Sequence, residues 1–178
     1  MRHAPPPLMI FAAGFGTRMR ALTADRPKPM IPVAGVPLID RALALADDAG
    51  IPRRVVNLHY LGDRLANHLA GRDIALAWEQ DEILETGGGM KAALPLLGDG
   101  PVLALNPDAV WTGENPLSRL MAEWDGARMD CLVTLLPAGQ ALGHAGRDFL
   151  LAPDGRIARA DGALSNAYLG AQMLNPAL

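Results

Sequence analysis

The sequence predicts an α/β fold with three layers, in which a mostly parallel sheet lies between helices on both of its faces. Two observations carry this prediction. Apolar runs of strand length alternate with stretches of helical period, and the pattern returns about every 25 residues, as βαβ units require. The first run, residues 8–13, is unbroken and ends at a glycine, which is typical of a central parallel strand buried on both faces.

The remaining elements follow in chain order. A helix at 37–50 begins with a proline and ends with a glycine, and its apolar residues share one face. Further strands are predicted at residues 54–58, 74–78, 101–105 and 131–136. Further helices are predicted at residues 62–69, 89–97 and 115–124, the last of them capped by Asn115 and started by Pro116.

The pattern changes between residues 139 and 162, where short strands and turns replace the alternation. Asp154-Gly155 predicts a hairpin turn between strands at 149–151 and 156–158, and strand character returns at 168–174. We therefore expect one domain over residues 1–178, with a core at 1–136 and a small β-rich part at 137–178. Asn175-Pro176 is a helix-start signal with no helix after it, so we expect that part to be truncated at its C-terminal side.

Composition excludes several classes of protein. Half of the 178 residues are apolar and the net charge is −3, so the chain can bury a core and lacks the charge of a nucleic-acid-backbone binder. A single cysteine, Cys131, excludes a disulfide framework and a CxxC zinc cluster, and its strand setting predicts a small buried residue. The opening apolar run is too short for a signal peptide or a membrane span, so a cytoplasmic location is expected.

Glycines and basic residues follow the first predicted strand, at the edge where ligands bind in open α/β sheets. Gly14 and Gly16 let backbone N–H groups approach a phosphate, and Arg18 and Lys28 supply full positive charges. The dinucleotide motif GxGxxG fails here because its third glycine is missing, and no Walker motif is present. The loop therefore predicts a phosphate site of another kind.

Other polar residues leave two interpretations open. Asp108 follows the fourth strand, where a carboxylate can hold Mg²⁺ against phosphates, but Asn-Pro-Asp is also a strong turn sequence. The glycines at 87–89 suggest a loop-to-helix junction with exposed amides, or only a flexible helix start. The side-chain amide of Gln80 suits a pyrimidine edge, although single glutamines are usually surface residues.

Together, Phe11-Ala-Ala-Gly-Phe-Gly-Thr-Arg-Met19, Arg26-Pro-Lys-Pro-Met30, Val33-Ala-Gly-Val-Pro-Leu38 and Asp108 resemble the sugar-1-phosphate nucleotidyltransferases. The pattern LAAGxGTRMxPLTxxxPKPMxPVxGxPL covers residues 10–38 with few changes, among them Ala21 in place of the usual proline. Residues 57–62, 84–89 and 92–98 are most similar to the bacterial branch that uridylylates N-acetylmuramate 1-phosphate.

The resemblance implies a Rossmann-like, glycosyltransferase-A-like nucleotidyltransferase fold whose small β-rich part binds a sugar. It implies transfer of a nucleotidyl group, with UTP as the expected donor, to a sugar 1-phosphate, with N-acetylmuramate 1-phosphate as the expected acceptor and pyrophosphate as the leaving group. Arg18, Lys28 and Asp108 match the family's catalytic positions, and Asp108 matches its first Mg²⁺ ligand. The implied nucleotide-binding residues are Phe11, Ala12, Ala13, Gly14, Gly16, Thr17, Arg18, Gln80, Thr86 and Gly87, and the implied sugar-binding residues are Lys28, Gly143 and Tyr168.

Two departures from the family pattern keep other functions open. Pro107 stands where the family usually has glycine, and the resemblance leads us to expect the second metal ligand of the family beyond residue 178. Within the class, the alternatives are guanylyl transfer to mannose 1-phosphate and thymidylyl or uridylyl transfer to glucose 1-phosphate. An alternative of another class is a catalytically idle nucleotide-binding regulatory module, which the retention of Arg18, Lys28 and Asp108 opposes.

Overall fold

The computed structural model describes residues 4–140 and 147–176. The strands are β1 (Leu8–Ile10), β2 (Pro32–Val33), β3 (Val36–Pro37), β4 (Arg54–Leu58), β5 (Ala75–Trp78), β6 (Val102–Leu105), β7 (Cys131–Pro137), β8 (Phe149–Leu151), β9 (Ile157–Arg159) and β10 (Asn166–Leu174). The α-helices are α1 (Leu38–Asp48), α2 (Gly62–Leu69), α3 (Glu85–Leu97) and α4 (Pro116–Glu123). Short 3₁₀ segments lie at Thr17–Thr23, Lys28–Met30 and Ala138–Gln140.

Eight of these strands form one sheet in the order β5-β4-β1-β6-β10-β8-β9, with β7 paired to β10. The four strands β5, β4, β1 and β6 run parallel to one another. The pairs of β10 with β6, β7 and β8, and of β8 with β9, are antiparallel. The predicted α/β fold is confirmed, and its parallel part carries the predicted βαβ units.

The first strand lies at the centre of the parallel part and is completely buried. Leu8 and Ile10 belong to one apolar cluster, which α1, α2 and α4 cover. Met9, between them, belongs to a second cluster on the opposite face, which α3 covers. Since successive side chains of a strand point to opposite faces, an unbroken apolar run is what two covered faces require.

Several elements differ from the prediction at their ends. The strand predicted at 8–13 ends at Ile10 because the amide of Ala12 bonds to a side chain, Asn57, instead of a neighbouring strand. Helix α3 begins at Glu85, four residues before the predicted start, so the glycines at 87–89 lie inside the helix and do not precede it. Strand β10 is antiparallel and lies between β6 and β7, an arrangement that the sequence pattern did not predict.

The predicted burial of Cys131 is wrong. It was predicted to be buried in a strand, but it is exposed at the first residue of β7. In the part of the chain that the structure describes, β7 pairs with β10 alone, so one of its long edges has no neighbouring strand to cover it.

The β-rich part contains the predicted hairpin. The backbone N–H of Ala152 donates to the carbonyl of Arg156, and the side chain of Asp154 accepts from the Arg156 amide, which closes the turn between β8 and β9. No helix within residues 4–140 or 147–176 has the length and hydropathy needed to span a bilayer.

Candidate functional site

A cleft of about 390 Å³ opens at the carboxyl ends of β1, β4, β5 and β6. Parallel strands bring the segments that follow them to one edge of the sheet, so residues distant in sequence meet there. The lining residues are Phe11, Ala12, Ala13, Gly14, Phe15, Gly16, Thr17, Arg18, Met19, Lys28, Pro29, Asn57, Glu79, Ile83, Glu85, Thr86, Asn106, Pro107 and Asp108.

The two glycines of the loop after β1 have different roles. Gly16 has φ +64°, and a Cβ atom on it would lie 2.9 Å from Cγ2 of Thr23 and 3.1 Å from Cβ of Lys28. Glycine at this position therefore permits both the left-handed backbone and the close approach of Lys28. A Cβ atom on Gly14 would meet no other atom within 4 Å, so the surface of this residue faces the open cleft.

Hydrogen bonds from Thr23 fix the shape of this loop. Its hydroxyl lies 3.2 Å from the carbonyl oxygen of Gly16 and 3.1 Å from that of Arg20, and Thr23 itself is buried. The hydroxyl of Tyr60 donates to the Thr23 carbonyl at 2.9 Å. Because the loop is held from behind, Thr17 and Arg18 stay exposed at the cleft.

One end of the cleft, which we call the charged end, contains Arg18, Lys28 and Asp108. Nζ of Lys28 lies 2.5 Å from Oδ2 of Asp108, although the two residues are 80 positions apart in sequence. Their side chains are 26% and 41% exposed, so solvent and ligands reach both. When ligands enter this open cleft, the ammonium can leave the carboxylate and bind a phosphate. The carboxylate can then bind a cation.

The other end, which we call the hydrogen-bonded end, contains Asn57 and Glu79, which are 3% and 4% exposed. Sequence reasoning missed both residues as members of the site. The available signals were an uncharged polar side chain, Asn57, inside the strand at 54–58 and an acidic residue directly after the strand at 74–78. Neither signal separates a buried polar group from a surface one.

The structure brings most of the predicted site residues to this cleft. The predicted residues that line it are Phe11, Ala12, Ala13, Gly14, Gly16, Thr17, Arg18, Lys28, Thr86 and Asp108. Gln80 is exposed and does not line the cleft, whereas its neighbour Glu79 does. Gly87 lines an adjacent groove of about 460 Å³ that shares Phe11 and Thr86 with the cleft.

Two further predicted residues come from the segment 137–178. Tyr168 lies in β10, where its ring packs edge-to-face on Phe149 with 6.2 Å between the ring centres. Burial, and then the charges of Cys131 and Asp108, raise the pKa of Tyr168 well above its usual value, so the phenol stays neutral and can donate a hydrogen bond. Gly143 lies outside the described residues.

The donor set fits a magnesium ion that arrives with phosphate. Asp108 offers one partly exposed carboxylate at the charged end. Within residues 4–140 and 147–176, no group of three or more His, Cys, Asp or Glu side chains can hold a metal ion. Since Mg²⁺ is usually held by one or two carboxylates together with substrate phosphates and water, one carboxylate beside a phosphate site is a suitable arrangement.

Comparison with known sequences places the chain among nucleotide-transferring proteins. Residues 8–163 match the family described as MobA-like NTP transferase domain. An N-acetylmuramate alpha-1-phosphate uridylyltransferase from Caulobacter vibrioides is 39% identical over 188 aligned positions, which cover 99% of this chain and 78% of the relative. A protein of the same name from Neisseria meningitidis is 44% identical over 107 residues, which cover 57% of this chain and 46% of the relative.

The chain is also similar to more distant sequences and to solved structures. The bifunctional protein GlmU of Chromohalobacter salexigens is 32% identical over 85% of this chain and 32% of its own length. Among solved structures, a UDP-glucose pyrophosphorylase from Acinetobacter baumanii superposes with a TM-score of 0.73 at 17% identity, over 97% of this chain and 75% of that one. A UDP-glucose pyrophosphorylase complexed with UDP-glucose gives 0.72 at 18% identity, over 97% and 76%. At these identities the structural likeness supports the fold.

Proposed function

Because the chain belongs to the family of MobA-like NTP transferase domains, we propose that it transfers a uridylyl group from UTP to N-acetylmuramate 1-phosphate. The predicted nucleotidyltransferase class is confirmed by the family. The choice of UTP and of this sugar is supported by the relative that is 39% identical over 99% of the chain. The observation that carries the proposal is the meeting of Lys28 and Asp108 beside the glycine loop at one end of the cleft.

The reaction needs positioning and charge more than acid–base chemistry. A phosphate oxygen of the sugar 1-phosphate is already anionic at neutral pH, so it attacks the α-phosphorus of UTP without a general base. The new bond joins that oxygen to the α-phosphorus, the bond between the α-phosphorus and its bridging oxygen breaks, and its electron pair leaves with pyrophosphate. The protein must hold two anions together, which requires cations and a fixed geometry.

The residues of the charged end have proposed roles in this reaction. The backbone N–H groups of Gly16 and Thr17 and the guanidinium of Arg18 bind the triphosphate. The ammonium of Lys28 bridges the α-phosphate and the incoming sugar phosphate. Asp108 would hold Mg²⁺, which, when bound, supplies positive charge to the phosphate oxygens as the new bond forms.

The remaining assignments follow the cleft outward. We assign the base and ribose to the backbone of Phe11, Ala12, Ala13 and Gly14, and the pyrimidine edge to Thr86 and Gly87. Gln80 has no role in this proposal, because it does not line the cleft. Tyr168, as a neutral hydrogen-bond donor, and Gly143 are assigned to the sugar. In this proposal residues 1–136 are the nucleotide-binding core and residues 137–178 contribute to the sugar site, and the enzyme acts in the cytoplasm, where nucleoside triphosphates are available.

The test measures pyrophosphate release with Mg²⁺. UTP, dTTP, GTP and CTP are each combined with the 1-phosphates of N-acetylmuramate, N-acetylglucosamine, glucose and mannose, and each pair is repeated with a chelator. We expect release from UTP and N-acetylmuramate 1-phosphate, and loss of that release with the chelator. Release from another pair changes the substrates and leaves the reaction class unchanged. If no pair releases pyrophosphate while calorimetry still detects UTP binding, the protein is a catalytically idle nucleotide-binding module.

A further inference from the structure

Glu79 is a buried carboxylate whose position is fixed from several sides. It follows β5, lines the cleft and is 4% exposed. Its backbone N–H donates to the carbonyl of Leu58 at 2.9 Å, and its backbone carbonyl accepts from Nδ1 of His59 at 2.6 Å. A carboxylate is costly to bury unless hydrogen bonds satisfy both of its oxygens. The two oxygens of Glu79 therefore need an explanation.

Both oxygens accept hydrogen bonds from neutral donors. Oε1 of Glu79 accepts from Nδ2 of Asn57 at 2.7 Å, and Oε2 accepts from the backbone N–H of Leu84 at 2.8 Å. Oδ1 of Asn57 in turn accepts from the backbone N–H of Ala12 at 2.6 Å. The result is a chain of hydrogen bonds from the loop after β1, through the end of β4, to the segment that leads into α3.

Gly89 shows how tightly this chain is packed. A Cβ atom at Gly89 would lie 2.7 Å from Oε1 of Glu79 and 2.9 Å from Nδ2 of Asn57. The glycine thus lets the first turns of α3 lie directly on the pair of side chains. A larger residue at position 89 would displace at least one of these two side chains.

We infer that Glu79 is a positioning residue that, through Asn57, sets the distance between the loop after β1 and the segment before α3. These two segments both line the cleft, the first through Ala12 and the second through Ile83. The inference rests on the proposed function in one respect, because it takes the nucleotide to be the ligand that binds between these two segments. Glu79 acts through the backbone it holds and not by contact with the reacting atoms.

The donors around Glu79 explain why an amide cannot replace the carboxylate. Leu84 offers an N–H, and Asn57 must turn its oxygen towards the N–H of Ala12, which leaves its NH₂ group towards Glu79. A glutamine at 79 brings its own NH₂ group against one of these donors. If Asn57 turns over to accept from that group, its NH₂ group faces the Ala12 N–H instead. One buried donor is left without an acceptor in every arrangement.

The first variant for the test is Glu79→Gln, measured by steady-state kinetics with UTP and N-acetylmuramate 1-phosphate. We expect the KM for UTP to rise by about 10- to 100-fold, since small misplacements of a binding group have effects of this size. The KM for the sugar phosphate is expected to change less than about twofold, because the hydrogen bonds of Glu79 and Asn57 do not include Lys28 or Asp108 at the charged end. Equal changes in both KM values would indicate a general loss of structure and overturn the inference.

The second variant exchanges the two functional groups. In Asn57→Asp with Glu79→Gln, the new aspartate accepts from Ala12 and from the glutamine NH₂ group, and the glutamine oxygen accepts from Leu84. Every donor then has an acceptor again, with the charge moved by one side chain. We expect the double variant to recover most of the UTP affinity that Glu79→Gln loses. If the double variant is no better than the single one, this hydrogen-bond pattern does not position the nucleotide.

The matched control is Glu82→Gln, the same chemical change in the same segment at an exposed residue that does not line the cleft. It is expected to leave both KM values unchanged. Exchange of the Ala12 and Leu84 amide protons, measured by NMR without ligands, tests the chain independently of activity. We expect faster exchange in Glu79→Gln and slow exchange in the double variant. If the wild type transfers no uridylyl group, the proposed function fails, while this measurement still confirms or overturns the positioning chain.

Discussion

The two ends of the cleft are built in opposite ways. At the charged end, Lys28 and Asp108 are 26% and 41% exposed and form an ion pair with each other. At the hydrogen-bonded end, Asn57 and Glu79 are almost completely buried, and each has its polar atoms bound to backbone or to the other.

Because of this difference, we expect the charged end to contribute mainly to activity and the hydrogen-bonded end to contribute to stability as well. A partly exposed ion pair contributes only about 0–1 kcal/mol to the free energy of unfolding, so Lys28 and Asp108 are able to give up their contact when substrates arrive. A buried donor or acceptor that loses its partner costs about 1–3 kcal/mol. Substitutions at the charged end should therefore change activity with little change in stability, and substitutions at the other end should change both.

The largest effect is expected from Asp108→Asn. Without the carboxylate, the proposed Mg²⁺ site loses its charge, and turnover of UTP with N-acetylmuramate 1-phosphate should fall by about 100-fold or more, since metal stabilisation of developing charge is worth several kcal/mol. The melting temperature should stay close to that of the wild type. The measurements are pyrophosphate release over a range of Mg²⁺ concentrations and thermal unfolding.

Asp99→Asn is the matched control for that variant, because Asp99 is exposed and does not line the cleft. It should leave the Mg²⁺ dependence unchanged. Turnover that survives in Asp108→Asn with the same Mg²⁺ dependence would remove Asp108 from the metal site. A large drop in melting temperature would instead contradict the separation of stability from chemistry at the charged end.

The fold could be predicted where local pattern and tertiary packing agree. Strand β4 and helix α2 have the predicted bounds, since apolar spacing and a covered face coincide in both. The start of α3 could not be predicted, because three glycines disfavour a helix locally and the packing of Gly89 on Asn57 joins residues far apart in sequence. The place of β10 between β6 and β7 likewise depends on pairing between residues far apart in sequence.

The site could be predicted in part for the same reason. The rule that ligands bind at the carboxyl ends of parallel strands anticipates the meeting of Gly16, Lys28 and Asp108. It does not decide between Glu79 and Gln80, which are adjacent at the end of β5. Only the direction in which the chain leaves the strand decides that Glu79 lines the cleft and that Gln80 is exposed.

A smaller and more selective effect is expected from Lys28→Ala. If the ammonium bridges the α-phosphate and the sugar phosphate, its loss should raise the KM for the sugar phosphate by about tenfold, as expected for a charge-assisted bond worth about 1.5 kcal/mol. The dissociation constant of UTP, measured by calorimetry, should change less. Lys91→Ala, at the only other lysine, is the control for the sugar phosphate, because Lys91 lines the adjacent groove and not the cleft that contains Lys28. Equal weakening of both substrates would show that Lys28 binds the triphosphate and does not bridge.

The smallest expected effect is a difference in stability between alanine substitutions at the two glycines of the loop after β1. Gly16→Ala places a Cβ atom on a backbone with φ +64° and against Thr23 and Lys28, so the free energy of unfolding should fall by about 1–2 kcal/mol. Gly14→Ala meets open space, so its stability should stay within about 0.5 kcal/mol of the wild type. Its added methyl group stands where the nucleotide is proposed to bind, so the KM for UTP should rise. Chemical denaturation and kinetics measure the two effects. Equal losses of stability would mean that the loop, and not the cleft in front of it, requires both glycines.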